Sequence, residues 1–270
     1  MLIWVCALAC EAKPVIDFYR LKKVRGDEAF DLYRNDDMAC VISGTGKLAS
    51  AAATAWVAAR ESTHVSPRWI NLGIAGAAEH EPGSLFRLHQ IIDAESGKRY
   101  YPIIPEKWSI TGHVGLCLNQ PSTDYNTEYL FDMESSGFFP TASRFSSAEL
   151  IRSLKVVSDN QRVQMGRDRQ RISDLIAQNM KHISAQAQAL LDLSDPFLSL
   201  DITPEAWEAI NTLAHFSTTE RAVLRGLLRY LLNRQYHISD LTRSLSQFDS
   251  AKTILCALQQ MCRKDSQQLT

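Results

Sequence analysis

The stretch Met38-Ala39-Cys40-Val41-Ile42-Ser43-Gly44-Thr45-Gly46-Lys47 decides the fold class. A short apolar run ends in a glycine-rich turn, and an alanine-rich segment continues from there to Arg60 with helical composition. Strand, glycine turn and helix in that order are the unit of an α/β sheet. The same grammar recurs on both sides. Upstream, Leu2 to Leu8 is a β-compatible apolar run that reaches Glu11 and then Pro14, a buried strand feeding a helix. Downstream, Trp69 to Leu72 reads as a strand that ends in a turn of small residues, Gly73-Ile74-Ala75-Gly76-Ala77, where backbone can approach a ligand closely.

Further along, Ser84 to Ala94 and Arg99 to Pro102 flank Ser96-Gly97-Lys98 as a hairpin, and Gly112 to Leu118 reads as another strand. Tyr129 to Met133 and Leu154 to Val157 are strand-like runs that close on Glu134 and Asp159. Arg171 to Leu193 carries helical periodicity, broken at Ser194-Asp195-Pro196. Beyond the break every segment reads as helix. Thr203-Pro204 makes an N-cap and first-turn pair, Ser217 and Glu220 have capping-box spacing, and Asp249 is placed to cap a last helix. The expected organisation is an α/β domain over residues 1–194 and a helical extension over 195–270.

Composition narrows the function classes. With 45% hydrophobic and 22% charged residues the chain buries a core, which excludes a disordered polymer. Lys plus Arg total 29 against 30 for Asp plus Glu, so the net charge of -1 supplies no bulk attraction to nucleic acid or an anionic membrane. Neither is an expected partner. The arginines Arg162, Arg167, Arg169 and Arg171 read as a solvated loop and helix start. Leu2 to Ala9 is too short for a membrane span and lacks the basic region of a signal peptide, so the expected location is the cytoplasm. Cys6, Cys10, Cys40, Cys117, Cys256 and Cys262 form no two-residue-spaced pair, and four of them lie in apolar runs as reduced core thiols do. The seven histidines show no paired ligand spacing either, so no metal and no cofactor are expected.

In open α/β sheets, ligands bind beyond the carboxyl ends of the strands. Acidic and glycine-rich strand endings therefore select one candidate constellation: Glu11, the Gly44–Lys47 turn, the Gly73–Ala77 turn, Met133-Glu134 and Ser158-Asp159. Taken singly, Glu11 and Glu134 also fit helix-start acids, and Asp159 an N-cap.

Read in order, Ala9-Cys10-Glu11, Ser43-Gly44-Thr45-Gly46-Lys47, Asn71-Leu72-Gly73-Ile74-Ala75-Gly76-Ala77, Pro82-Gly83, Asp132-Met133-Glu134-Ser135 and Val157-Ser158-Asp159 resemble the nucleoside phosphorylase superfamily. The resemblance is closest to its methylthioadenosine/S-adenosylhomocysteine nucleosidase branch and spans roughly the first 160 to 190 residues. It implies a three-layer phosphorylase-like fold, a central mixed sheet flanked by helices, here followed by the all-helical extension. It also implies a homo-oligomer acting on a purine nucleoside-like small molecule. By resemblance, Glu11 is the base that activates water, Glu134 holds the ribose hydroxyls with Met133 against the sugar, and Asp159 acts at the purine with support from Ser158. Gly44, Gly46, Ala75 and Gly76 would let backbone close on the ligand.

The chemistry suits those residue types. Breaking an N-glycosidic bond develops positive charge on the sugar and negative charge on the base, which calls for carboxylate near the sugar and an acid near the base. The expected reaction is hydrolysis. Ile74 stands where the family commonly has Ser or Thr, no Arg-bearing phosphate loop lies near Glu11, and Lys155 replaces a usual Arg. The alternatives are a phosphorylase using inorganic phosphate and a catalytically weak nucleoside sensor whose helices contact a partner. Tyr100, Tyr101, Trp108 and Tyr125 are candidates to cover a base.

Overall fold

The structure, a computed structural model, describes residues 1–26, 29–61, 66–103, 110–122, 128–164, 168–193, 202–233 and 236–267. The chain divides into two compact units, Met1–Ser194 and Asp195–Thr270.

In the first unit the elements run β1 (Leu2–Cys6), α1 (Ala9–Tyr19), β2 (Lys22–Lys23), β3 (Asp31–Arg34), β4 (Met38–Ile42), α2 (Lys47–Arg60), β5 (Arg68–Gly76), β6 (Leu85–Asp93), β7 (Arg99–Tyr100), β8 (Gly112–Cys117), β9 (Leu130–Asp132), α3 (Ser135–Ala142), β10 (Ile151–Asp159) and α4 (Arg169–Asp192). The sheet is mixed. β4, β1, β5 and β10 lie side by side and parallel. From β10 the sheet continues through antiparallel β6 to β8 and β9, and β9 returns to pair with β5. Strands β5, β10, β6, β8 and β9 thereby form a closed ring, while β4, β3 and β2 extend the open side.

Alternation along the strands divides the core into two layers. Leu2, Trp4, Cys6, Ile70, Leu72, Leu154 and Val156 pack toward Val15 of α1 and Ile172, Ile176 and Ile183 of α4. Ile3, Val5, Trp69, Ala75 and Val157 face Ala53 and Val57 of α2 and Phe138 of α3. Helices on both faces of a mixed sheet make three layers, as expected from the sequence. The free carbonyls at the end of α4 are held by Arg68, whose Nε and Nη2 donate to Leu190 O and Leu193 O at 3.0 and 2.9 Å.

Two expectations about local structure change. The Gly73–Ala77 segment is not a turn after a short strand, because β5 runs on through Gly76 with Gly73, Ile74 and Ala75 paired to Lys155, Val156 and Val157. At Gly73 a glycine occupies a strand position because the Glu11 side chain crosses the backbone there. The last helix is capped by Ser250 and not by Asp249: Ser250 Oγ accepts the Thr253 N–H at 3.3 Å.

The second unit contains α5 (Pro204–Asn211), α6 (Thr218–Asn233), α7 (Ile238–Leu245) and α8 (Ala251–Gln267). Thr203 Oγ1 accepts the Ala206 N–H, and Ser217 and Glu220 exchange the two capping-box bonds. Ile210, Phe216, Leu224, Leu228, Leu231, Leu241, Leu245, Ile254 and Leu258 bury against one another, so this unit has an apolar core of its own. No helix among the described residues is long and apolar enough to cross a membrane.

Candidate active site

Glu11 lies in the first turn of α1 and is buried. Its Oε2 accepts the N–H of Leu8 at 2.8 Å, the bond expected of a helix-start acid, but its Oε1 reaches across to β5 and accepts the N–H of Ile74 at 2.9 Å. Gly73 makes that reach feasible, since a Cβ there would lie 3.0 Å from Glu11 Oε1. Each carboxylate oxygen keeps a second lone pair for another donor. Burial raises the pKa of Glu11, against the Ile74 and Leu8 bonds that favour its charged form.

Glu134 enters the same region from the junction of β9 and α3. It stands at the N-cap position of α3 without capping it; Asp132 does that instead, accepting from Ser135 N at 2.9 Å and Ser135 Oγ at 2.7 Å. Freed from capping, Glu134 Oε1 accepts the N–H of Gly46 at 2.9 Å. Gly44 and Gly46 have φ of 80° and 99°, values at which a side chain is strained, so the turn that aims this N–H depends on glycine. The turn is anchored to β1 through Ser43 N and Gly44 N, which donate to Cys6 O and Ala7 O. Gly137 of α3 fits flush against it, for a Cβ there would fall 1.9 Å from Lys47 O.

Lys155 joins these acids. It projects from β10 opposite Gly73, is fully buried, and its Nζ lies 2.8 Å from Asp132 Oδ2. Burial opposes its charge, but attraction to Asp132, Glu134 and Glu11 outweighs burial and holds the ammonium above its ordinary pKa. Burial pushes Glu134 up to about 7, against the pull of Lys155 and with added repulsion from Asp132 and Glu11. Three carboxyls and one ammonium thus form a single electrostatic cluster over Gly73.

The Glu134 shift has a sign that can be checked. Between its ordinary value and about 7 the folded protein holds a proton that the unfolded chain has released, so this group's contribution to stability falls as pH rises through that window. Glu134→Gln is expected to flatten the decline. Urea unfolding from about pH 5 to about pH 8 measures it, and parallel curves for parent and variant would refute the assignment.

Ser158 and Asp159 end β10. Ser158 Oγ contacts Ala75 O at 3.3 Å and donates to Asp159 Oδ1. Asp159 is half-buried beside Gly76, and its carbonyl accepts the Ala77 N–H at 3.0 Å. It is not an N-cap, a role taken before α4 by Asp168. A bulge between Val157 and Asp159 pairs Asp159 with Gly76, so it sits about 10 Å beyond Lys155 along the strand, at the side where the Ala77–Ser84 loop leaves the sheet. The chain therefore brings Glu11 and Glu134 together with the Gly44–Gly46 turn, and sets Asp159, Ser158, Ala75 and Gly76 on the neighbouring strand ends. Met133 is half-buried between Asp132 and Glu134.

Other expectations fare differently. Tyr100 packs on Phe139 with ring centroids 6.2 Å apart, and Tyr101 is exposed with its hydroxyl 3.2 Å from Gln90 Nε2, so each has another setting. Trp108, Tyr125 and Arg167 lie outside the described residues. Lys47 points away from the glycine turn: its Nζ bonds Asp93 Oδ2 at 2.9 Å and Glu95 Oε2 at 3.1 Å. Asp93 also accepts from Ser136 Oγ, Ser96 Oγ and Ser96 N. Burial works against its charge, yet Lys47 and these donors prevail and keep the carboxyl below its ordinary range. Sequence reasoning missed the parts played by Asp132 and Lys155, because an acid and a base 23 positions apart (155 − 132) announce no pairing until β9 and β10 enter one closed ring.

No family model matches the chain, and no curated protein sequence matches it. Solved structures do. A 5'-methylthioadenosine/S-adenosylhomocysteine nucleosidase from Neisseria meningitidis, in complex with methylthio-immucillin-A, superposes with a TM-score of 0.55 at 14% identity over 68% of this chain and 98% of its own. The apo 5'-methylthioadenosine nucleosidase of Arabidopsis thaliana gives 0.58 at 13% identity over 72% and 96%. A nucleosidase from Colwellia psychrerythraea in complex with adenine gives 0.53 at 16% over 68% and 94%. The fold is that of the MTA/SAH nucleosidases. Near-complete coverage of those nucleosidases by about seven-tenths of this chain leaves a remainder the size of the second unit. The MTA/SAH nucleosidase fold supplies the scaffold, and the acids placed on it supply the argument for chemistry.

Proposed function

We propose that the chain hydrolyses the N-glycosidic bond of a purine, adenosine-type nucleoside. The observation that carries this reading is the convergence of Glu11 and Glu134, 123 positions apart (134 − 11), on one buried cluster at the strand ends. Negative charge fixed there favours the cationic, oxocarbenium-like sugar of the transition state over the neutral substrate. Glu11 takes a proton from the attacking water through a lone pair left free by its two backbone bonds. Glu134 accepts from the ribose hydroxyls, Met133 packs against the sugar, and Asp159, supported by Ser158, delivers a proton to the departing purine. Gly44, Gly46, Ala75 and Gly76 keep the backbone close to the ligand. No metal enters these steps.

Water is favoured over phosphate as nucleophile by the same electrostatics. A phosphate dianion would face Glu11 and Asp132, whereas the cation beside them, Lys155, is already paired with Asp132. The N–H of Ile74 is also taken, by Glu11, and its side chain offers no donor. Purified chain is therefore expected to release free base from adenosine-type nucleosides at the same rate with and without inorganic phosphate. A strict phosphate requirement would reverse the ranking in favour of a phosphorylase, and absence of any turnover would favour a sensor. By analogy with the fold, we also propose that the chain works as a homo-oligomer in the cytoplasm, with residues 1–194 as the nucleosidase-like domain and 195–270 as an appended helical module.

A further inference from the structure

One pair of nitrogen donors in the first unit is unused by the proposed reaction. His80, on the loop after β5, and His113, in β8, place their Nε2 atoms 3.0 Å apart. Their rings are perpendicular at 89° and both are half-buried against Phe86, with centroids 4.5 and 5.2 Å from it. His113 Nδ1 lies 3.2 Å from Val114 O. A carbonyl oxygen has no proton to give, so Nδ1 carries the hydrogen and Nε2 presents its lone pair toward His80. Without a ligand, His80 Nε2–H donates into that lone pair.

We propose that His80 and His113 together bind a divalent late first-row transition cation through their two Nε2 atoms. Metal–imidazole bonds of about 2.0–2.1 Å spanning the observed separation give an angle at the metal of about 90°, the relation of adjacent ligands in the tetragonal sites of Ni2+ and Cu2+. The Nδ1 contact to Val114 O is the outer hydrogen bond that orients a ligating histidine. On binding, His80 moves its proton from Nε2 to Nδ1; no proton leaves the protein and nothing is oxidised or reduced. The described residues contain no preformed group of three or more His, Cys, Asp or Glu ligands, so the site is open, completed by water with the exposed Glu79 next to it. A bound cation would tie the loop to β8, and that loop already meets the strand end of Asp159 through Asn160 Nδ2, which donates to His80 O at 3.0 Å. The proposal is independent of the nucleosidase reading.

The test titrates chelator-treated full-length protein with Ni2+ by calorimetry, alongside His80→Gln, His113→Gln and His89→Gln. His89 serves as the control because its ring packs on Gly112 beside Arg87. One equivalent is expected, with affinity lost at least about tenfold in the first two variants and kept in the third. X-ray absorption at the nickel edge of the parent protein gives a readout that does not depend on variants folding, and should count two imidazoles and no sulfur. Equal binding by all four proteins, no binding by the parent, or a spectrum with fewer than two imidazoles or with thiolate ligation overturns the proposal.

Discussion

Glu11→Gln is expected to reduce base release by about 100- to 10,000-fold, the usual worth of a positioned proton-transfer group. The variant keeps one acceptor oxygen, but its amide group must face either the Leu8 or the Ile74 N–H, both donors. That mismatch costs about 1–3 kcal/mol, so thermal unfolding has to be followed beside turnover. The loss in rate should far exceed what the small fall in melting temperature explains. A folded variant that still turns over within about twofold of the parent would show that Glu11 is only the helix-start acid its first hydrogen bond makes it.

Lys155→Met is expected to have the largest effect on stability, because it leaves Asp132 buried and unpaired beside two further acids. Breaking a buried pair from one side costs about 3–5 kcal/mol, whereas removing both charges costs far less. Combining Lys155→Met with Asp132→Asn should therefore recover much of the loss, since asparagine still accepts from Ser135. Urea unfolding of the two single variants and the double variant forms the cycle. A Lys155→Met protein within about 1 kcal/mol of the parent would dissolve the cluster as an energetic unit.

Legibility in the sequence followed the physics of each segment. The strands β1, β4, β5 and β10 show themselves as apolar runs because both of their faces are buried, and the helices α2 and α4 show through composition and period. The caps at Thr203 and Ser217 were readable because capping is local. The short strands β2, at the sheet's edge, and β3 beside it carry no such pattern, since Lys22 and Lys23 of β2 and Asp31 and Arg34 of β3 are exposed. The path of β5 through Gly73 to Gly76 reads in sequence as a turn, because glycine in a strand and glycine in a turn look alike until the side chain occupying the vacated space is known. Glu11, Glu134 and Asp159 stand out in the sequence only as an ordered set. Asp132, Lys155 and the His80–His113 contact depend on ring closure between distant strands, which no local spacing encodes.

The saturation of Asp93 by Lys47, Ser96 and Ser136 bears on how genetics would read this protein. A screen that scores lost activity would mark Lys47 and Asp93 together with the acids over Gly73, although the pair fastens a hairpin to two helices and makes no bond to those acids. Abundance of the folded product, scored in parallel, is what would tell a rivet of the scaffold from a group that acts on the bound molecule in the proposed reaction.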